Sequence, residues 1–284
     1  MMQSTPILEK TLGSTGQKVT CVGLGGEGVL RTHGRDEEAR EVIEAALSAG
    51  ITYFDSANAY AGSQEYLGRV WKERPDVRRM VFQTSKSAMR HKSGVEQDLD
   101  RSLAALGTDY LDLWQIHDVR TREDIAMIEA RDGALEGFVR ARDAGRVRHI
   151  GVTGHHDPDI LLHAVREWPV DTVLLPVNPA EKTVGGFLDR VIPAARERGI
   201  GIVAMKVLGG GHYVQPRAGV TADLLLEYAL SEDVDVAIAG CSTPGEAHSL
   251  ADAGRDFDQM SEDEKLELEI TFESNARRLA FYRG

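Results

Sequence analysis

Eight times along this chain a short, unbroken apolar run is followed by a loop and then by a longer amphipathic segment. The runs are Thr20–Leu24, Ile51–Phe54, Met80–Thr84, Leu111–Ile116, His149–Val152, Thr172–Pro176, Gly201–Met205 and Val234–Ala239. Continuous apolar runs of this length suit strands covered on both faces, which is the condition of a parallel sheet. Parallel neighbours need crossovers, and residues 36–50, 63–73, 93–107, 126–145, 156–168, 184–199, 222–232 and 243–254 have the helical spacing to supply them. Asp36 and Ser93 stand where N-caps belong, and Gly50, Gly107, Gly145 and Gly199 each follow a last turn. Eight strand–helix units predict an α/β fold, a closed (β/α)8 TIM barrel, as one domain over residues 1–284. The competitor is an open doubly wound sheet. GLGGEG at 23–28 partly matches a dinucleotide fingerprint, but the first long helix begins only near Asp36 and no acidic strand end follows at the required distance.

Two additions flank the repeat. Ile7–Leu12 and Lys18–Cys21 around Gly13–Gly16 read as a β-hairpin closing the barrel bottom, and Ser261–Arg278 reads as an extra C-terminal helix. Charge narrows the partners: 45 acidic against 33 basic residues give a net −12, which repels phosphate backbones and anionic membranes. No apolar run approaches the roughly 20 residues of a spanning helix. MMQSTPILEKTLG has no apolar signal core, and two cysteines, Cys21 and Cys241, cannot build a disulfide framework or an iron–sulfur cluster. The expectation is a reduced, cytoplasmic protein with no nucleic-acid or membrane partner.

In such a barrel the chemistry collects at the C-terminal strand ends. There the chain places Asp55 with Tyr60 five residues on, Lys86, His117, and Thr153 with His155 and His156. Each has a plain alternative: Asp55 as a cap, Tyr60 as an amphipathic plug, Lys86 as a snorkelling surface residue, His117 as a core histidine. Trp114, inside a strand, reads as packing. As a set, however, Asp55, Tyr60, Lys86 and His117 have the parts of a proton donor. A tyrosine titrates near ~10, an ammonium beside it stabilises the phenolate, and a carboxylate holds the ammonium. His117 then orients a carbonyl. No nucleophile motif accompanies the set, whereas a bound hydride donor completes it. His155 and His156 are adjacent and no acidic residue stands at a ligand spacing from them, so no metal is expected.

These blocks resemble the aldo-keto reductase superfamily along essentially the whole chain: LGSTGQKVTCVGLGG, GITYFDSANAYAGSQEYLG, QTSK, LDLWQIHD and VRARDAGRVRHIGVTG, in that order. The resemblance implies a (β/α)8 barrel that reduces aldehydes or ketones with NADPH or NADH. It implies Tyr60 as general acid, Asp55 and Lys86 as its tuners and His117 as the carbonyl-positioning group. It places the cofactor on Gly26, Asp55, Thr153, Gly154, Asn178, Met205, Lys206, Leu208, Gly209, Gly210 and Ser242, and makes a monomer the expected state. Thr153-Gly154 replaces the family's frequent Ser-Asn, Met205 stands where a stacking aromatic is common, and Glu27 replaces a pocket aromatic. No Lys or Arg occurs between Arg217 and Arg255, where NADP-preferring members clamp the 2′-phosphate, so local charge opens the way to NADH. Short loops predict an open mouth, with residues 211–220 the longest flap. The rival readings are a Schiff-base lyase using Lys86 and a non-catalytic nicotinamide-binding regulator.

Overall fold

The computed structural model describes residues 5–283. Strands β1 (Glu9–Thr11) and β2 (Lys18–Thr20) pair antiparallel. They precede β3 (Val22–Gly28), β4 (Tyr53–Phe54), β5 (Phe82–Ser87), β6 (Leu111–Ile116), β7 (Val147–Thr153), β8 (Thr172–Pro176), β9 (Gly201–Met205) and β10 (Val236–Cys241). The last eight are parallel and pair in chain order, and β10 returns to β3 to close the barrel. Closure leaves the barrel without an edge and points all eight C-terminal ends at one mouth.

Inside the barrel, Tyr53, Phe82, Leu113, Leu174, Val203 and Val236 pack with Leu12 and Val19 of the hairpin. The hairpin is therefore the floor. It is fixed by Gly13 N–H donating to Asp235 Oδ2 (3.1 Å) and Ser14 N–H to the Gly199 carbonyl (2.7 Å). The remaining apolar side chains form the layer between strands and helices, where Trp114 stacks on Phe138 with ring centroids 5.7 Å apart. Trp114 is packing, as expected of a fully buried strand residue.

Several boundaries differ from expectation, each for a local reason. The first barrel strand runs on through GLGGEG to Gly28, because those glycines let β10 and the Tyr60 ring approach the backbone. Residues 126–145 form two helices, Arg122–Glu129 and Ala134–Asp143, broken at Asp132 (φ 61) and Gly133. Residues 184–199 are broken likewise by Gly185 and Gly186 (φ 80 and 104), and a short helix, Pro179–Val184, precedes them. Pro75 starts another short helix, Pro75–Met80, so β5 begins at Phe82 and reaches Ser87. Asp36 and Ser93 lie within their helices and cap neither; side-chain caps come from Thr121, Asp157, Asn178, Thr221, Thr243 and Ser261. Gly50, Gly107, Gly145 and Gly199 do take the left-handed conformation after a last turn (φ 95, 62, 72 and 67). The C-terminal helix is Glu262–Glu273, followed by a short turn of helix, Ala276–Leu279. Among the described residues no helix is long and apolar enough to cross a membrane.

Candidate active site

β4 is only two residues long, and its chain leaves the sheet at Asp55, whose N–H still bonds to the Leu24 carbonyl (2.8 Å). That bond aims the Asp55 carboxylate into the barrel beside the last turn of β5. Lys86 reaches it from there: Nζ donates to Asp55 Oδ2 at 2.6 Å and to the Ser56 carbonyl at 2.8 Å. Thr84, two residues earlier on the same face, donates to Asp55 Oδ1 at 2.8 Å. Lys86 is 0% exposed, which excludes a snorkelling surface lysine. Two buried charges persist together only when paired and hydrogen-bonded this completely.

Tyr60 lies across this pair. Lys86 Nζ is 4.6 Å from its ring centroid, and the His117 ring meets it edge-on with centroids 5.7 Å apart. The third side is β3. A Cβ on Gly26 would come within 2.7 Å of Tyr60 Cδ2, so glycine is required here by the tyrosine's own seat. From above, the Arg31 guanidinium stands 4.9 Å from the Tyr60 ring centroid and pairs with Glu27 at 2.6 Å. Glu27 is thus a rim residue neutralised by Arg31, at a side-chain exposure of 46%.

The electrostatics correct one expectation. Burial raises the Tyr60 phenol above its ordinary value, Asp55 and Glu27 add to the rise, and Arg31 opposes it. Burial dominates, so the net direction for Tyr60 is up: at neutral pH the ring carries its proton. Lys86 is itself pulled down by burial, with Asp55 opposing. His117 is pushed down to about 3, chiefly by burial and then by the Lys86 ammonium, so its imidazole is neutral. Its Nδ1 is buried with no hydrogen-bond partner.

Arg90, unforeseen in the sequence, holds the fourth strand end in place. Its guanidinium donates to the His117 carbonyl (2.9 Å), the Asp118 carbonyl (2.7 Å) and Asp124 Oδ1 (2.7 Å). Nothing local marks an arginine 27 residues away as the clamp on a histidine's backbone.

The expected cofactor residues divide into two groups. Gly26, Asp55, Thr153, Gly154, Met205 and Lys206 gather at the C-terminal strand ends, with Thr153 and Met205 ending β7 and β9. After Met205 the chain turns through positive φ at Lys206 (57), Gly209 (54), Gly210 (64) and Gly211 (90). Nothing lies within 4 Å of where a Cβ would project from Gly210 or Gly211, which leaves an open glycine cradle at the mouth. Leu208 packs sideways on the outer core, so only its backbone belongs to that cradle. Asn178 is fully buried and turned into the protein. Its Oδ1 caps the Glu181 N–H (3.2 Å), and its Nδ2 donates to the Lys206 carbonyl (3.2 Å) and to Tyr282 Oη (2.9 Å). Both amide groups are engaged within the protein, where Asn178 supports the Lys206 turn. Ser242 is also altered: its N–H, at the entry to helix Pro244–Arg255, donates to Glu246 Oε2 at 2.6 Å. A carboxylate folds over the helix N-terminus expected to receive a phosphate.

The mouth is less open than short loops suggested, because the tail packs there. Tyr282 is buried, donates to Glu181 Oε1 (2.6 Å) and meets the His155 ring edge-on at 6.0 Å, while Arg283 pairs with Glu181. Tyr213 of the 211–220 segment is fully buried and donates to the Leu279 carbonyl (2.7 Å), so this part of the flap is packed beneath the tail.

A barrel mouth holding an aspartate–lysine pair under a tyrosine, with a neutral histidine against its edge, agrees with the sequence comparisons. The aldo/keto reductase family model matches residues 21–218. The chain belongs to the aldo/keto reductase family. The aldo-keto reductase YhdN of Bacillus subtilis is 31% identical over 206 residues, 67% of this chain and 59% of that protein. L-galactose dehydrogenase of Arabidopsis thaliana is 27% identical over 220 residues, 73% of this chain and 67% of that protein. Among solved structures, an aldo-keto reductase from Klebsiella pneumoniae in complex with NADPH superposes with a TM-score of 0.75 at 20% identity, covering 96% of each chain. Within the family's frame, Asp55, Tyr60, Lys86 and His117 are brought together as expected. Arg31, Arg90 and the Glu181–Tyr282–Arg283 tail contacts were not foreseen.

Proposed function

We propose that this protein reduces small aldehydes or ketones with a nicotinamide cofactor, Tyr60 acting as the general acid. The observation that carries this reading is the assembly at the mouth: a protonated Tyr60 seated on the buried Lys86–Asp55 pair with neutral His117 at its edge. A reduced nicotinamide, when bound, supplies the hydride that converts the carbonyl carbon to a carbinol carbon. Gly26, Asp55, Thr153, Gly154, Met205 and the Lys206–Gly210 turn are the groups that would hold it. As charge develops on the carbonyl oxygen, Tyr60 Oη delivers its proton there. The Lys86 ammonium beneath the ring stabilises the phenolate left behind, and Asp55 keeps that ammonium charged in a site that otherwise lowers its pKa. His117, neutral, directs the carbonyl oxygen toward Tyr60 without competing as an acid.

The far end of the cofactor favours NADH over NADPH: Glu246 caps the helix entry at Ser242, and no Lys or Arg lies between Arg217 and Arg255 to compensate a 2′-phosphate. The polar Glu27–Arg31 rim favours small, polar carbonyl substrates. A Schiff base on Lys86 would have to break its contacts with Asp55 and Ser56 and admit substrate to a group with no exposed surface. Two free, buried cysteines suit a reducing, cytoplasmic setting, and the likeness to the family favours a monomer.

The test is fluorescence titration with NADH and NADPH together with turnover of a simple aldehyde, in the parent and in Tyr60→Phe. Turnover is expected to fall about 10²–10⁴-fold in the variant while cofactor affinity is retained. A parent that binds neither cofactor overturns the proposal.

A further inference from the structure

Beside the proton-donating group, three side chains from two strand ends converge on one point. Asp118 follows His117 at the end of β6, and His155 and His156 follow Thr153 and Gly154 at the end of β7. One donor atom from each, Asp118 Oδ1 and a ring nitrogen of each histidine, all lie within 4.8 Å of one another. His155 Nε2 is 3.3 Å and His156 Nε2 3.7 Å from Asp118 Oδ1.

These atoms are short of hydrogen-bond partners. His155 Nδ1 lies 2.9 Å from the Tyr282 carbonyl, which can only accept, so Nδ1 carries a proton and Nε2 of the neutral ring is a lone pair. That lone pair faces a carboxylate oxygen. The other carboxylate oxygen, Oδ2, is taken by Arg120 through Nε (2.8 Å) and Nη2 (2.6 Å), which leaves Oδ1 directed at the histidines. Asp118 Oδ1 and His156 Nε2 are both buried and have no hydrogen-bond partner. A proton on His155 would bridge it to Asp118 and still leave His156 Nε2 orphaned. A cation with several coordination positions satisfies all three atoms at once.

We propose that Asp118, His155 and His156 form a binding site for a divalent transition metal of the zinc class, with Asp118 Oδ1, His155 Nε2 and His156 Nε2 as ligands. Tetrahedral zinc with N and O ligands about 2.0–2.1 Å away sets neighbouring donors about 3.3 Å apart; His155 Nε2 already stands at that distance from Asp118 Oδ1, and His156 Nε2, at 3.7 Å, has to move in by a few tenths of an ångström. Outer contacts are in place as well. The Tyr282 carbonyl fixes the His155 tautomer, Arg120 orients Asp118, and Asp118 is held at φ 55, a conformation that favours glycine or asparagine, by the Arg90 clamp on its carbonyl. The sequence shows no acidic residue at a ligand spacing because Asp118 is supplied by the neighbouring strand. The metal ties β6, β7 and the tail together at the mouth. It is a site separate from the proton donor, and its existence does not depend on the reductase reading.

The experiment uses the untagged full chain, stripped with EDTA and titrated calorimetrically with Zn²⁺, with Co²⁺ as a spectroscopic probe. The expected result is one saturable site per chain, a rise in Tm with bound Zn²⁺, and a Co²⁺ spectrum of N and O donors without the thiolate charge-transfer band that Cys21 or Cys241 would give. Asp118→Asn and His156→Gln are each expected to weaken binding about tenfold or more. His156→Gln leaves the Arg120 pair intact, so it reads the site even where Asp118→Asn disturbs the loop; metal-free circular dichroism checks both folds. Absence of saturable binding, a thiolate spectrum, or unchanged affinity in a folded His156→Gln variant overturns the proposal.

Discussion

At the scale of the residue, His117 shows most directly how burial prepares the site. An imidazole in water takes up a proton around 6.5, whereas burial and Lys86 push His117 down to about 3. Between these values the unfolded chain binds a proton that the folded chain refuses, so acidification favours unfolding throughout the window. Above 6.5 the group contributes nothing to the pH dependence. The slope from this residue is at most about 1.4 kcal/mol per pH unit. In His117→Gln the fall in stability from pH 6.5 toward 4 is expected to be shallower than in the parent by that order, as measured by urea unfolding across pH. Equal slopes in the two chains would show that His117 is protonated in the folded state. The same refusal of a proton leaves Tyr60 as the acid of the pair, since the neutral imidazole has none to spare at neutral pH.

At the scale of the element, the helix Pro244–Arg255 illustrates how one side chain redirects a general tendency. Helix N-termini attract anions through unpaired N–H groups and the macrodipole. Here the anion is internal. Glu246 accepts from the Ser242 N–H while Thr243 Oγ1 caps the Glu246 N–H, so the first turn is closed before a cofactor arrives. Glu246→Gln keeps an oxygen for the Ser242 N–H and removes the charge. Near a helix terminus one charge is worth about 1 kcal/mol, so the ratio of KM for NADPH to KM for NADH is expected to fall roughly fivefold in the variant. A strong parent preference for NADPH, unchanged by the substitution, would show that the 2′-phosphate is held elsewhere. Helix Arg122–Glu129 is the counterpart. Its cap pair Thr121–Asp124 also receives Arg90, so one carboxylate both starts a helix and anchors the clamp on His117.

At the scale of the whole molecule, the tail closes what the barrel leaves open. Tyr282 Oη accepts from Asn178 and donates to the fully buried Glu181, whose other oxygen faces Arg283. Burial raises the Glu181 carboxyl while Arg283 and Tyr282 draw it back. Tyr282→Phe leaves Asn178 Nδ2 and Glu181 each one partner short, which is expected to cost about 1–3 kcal/mol. The check is the urea midpoint at an unchanged m-value; an unaltered midpoint would mean that water replaces the hydroxyl at no cost. Because Asn178 also bonds the Lys206 carbonyl, the same substitution is expected to loosen the glycine cradle, so cofactor affinity is to be measured on the same samples.

The eight strands and their helices were legible in the sequence because the signal for each is local: an apolar run, a 3.6-residue period, a glycine after the last turn. Asp55, Tyr60, Lys86 and His117 were legible for a related reason, since a parallel barrel sends every strand end to one mouth and proximity follows from topology alone. The breaks at Gly133 and Gly185-Gly186 went unread because an amphipathic period continues across a kink. The closure of the mouth was decided only in three dimensions. Arg90 on the His117 carbonyl, Tyr282 on Asn178, and Asp118 against His155 and His156 each join residues whose spacing in the chain carries no period. Pattern along the chain determines which face of an element is buried. Which polar atoms then meet, and which remain unpaired, is set by packing between elements.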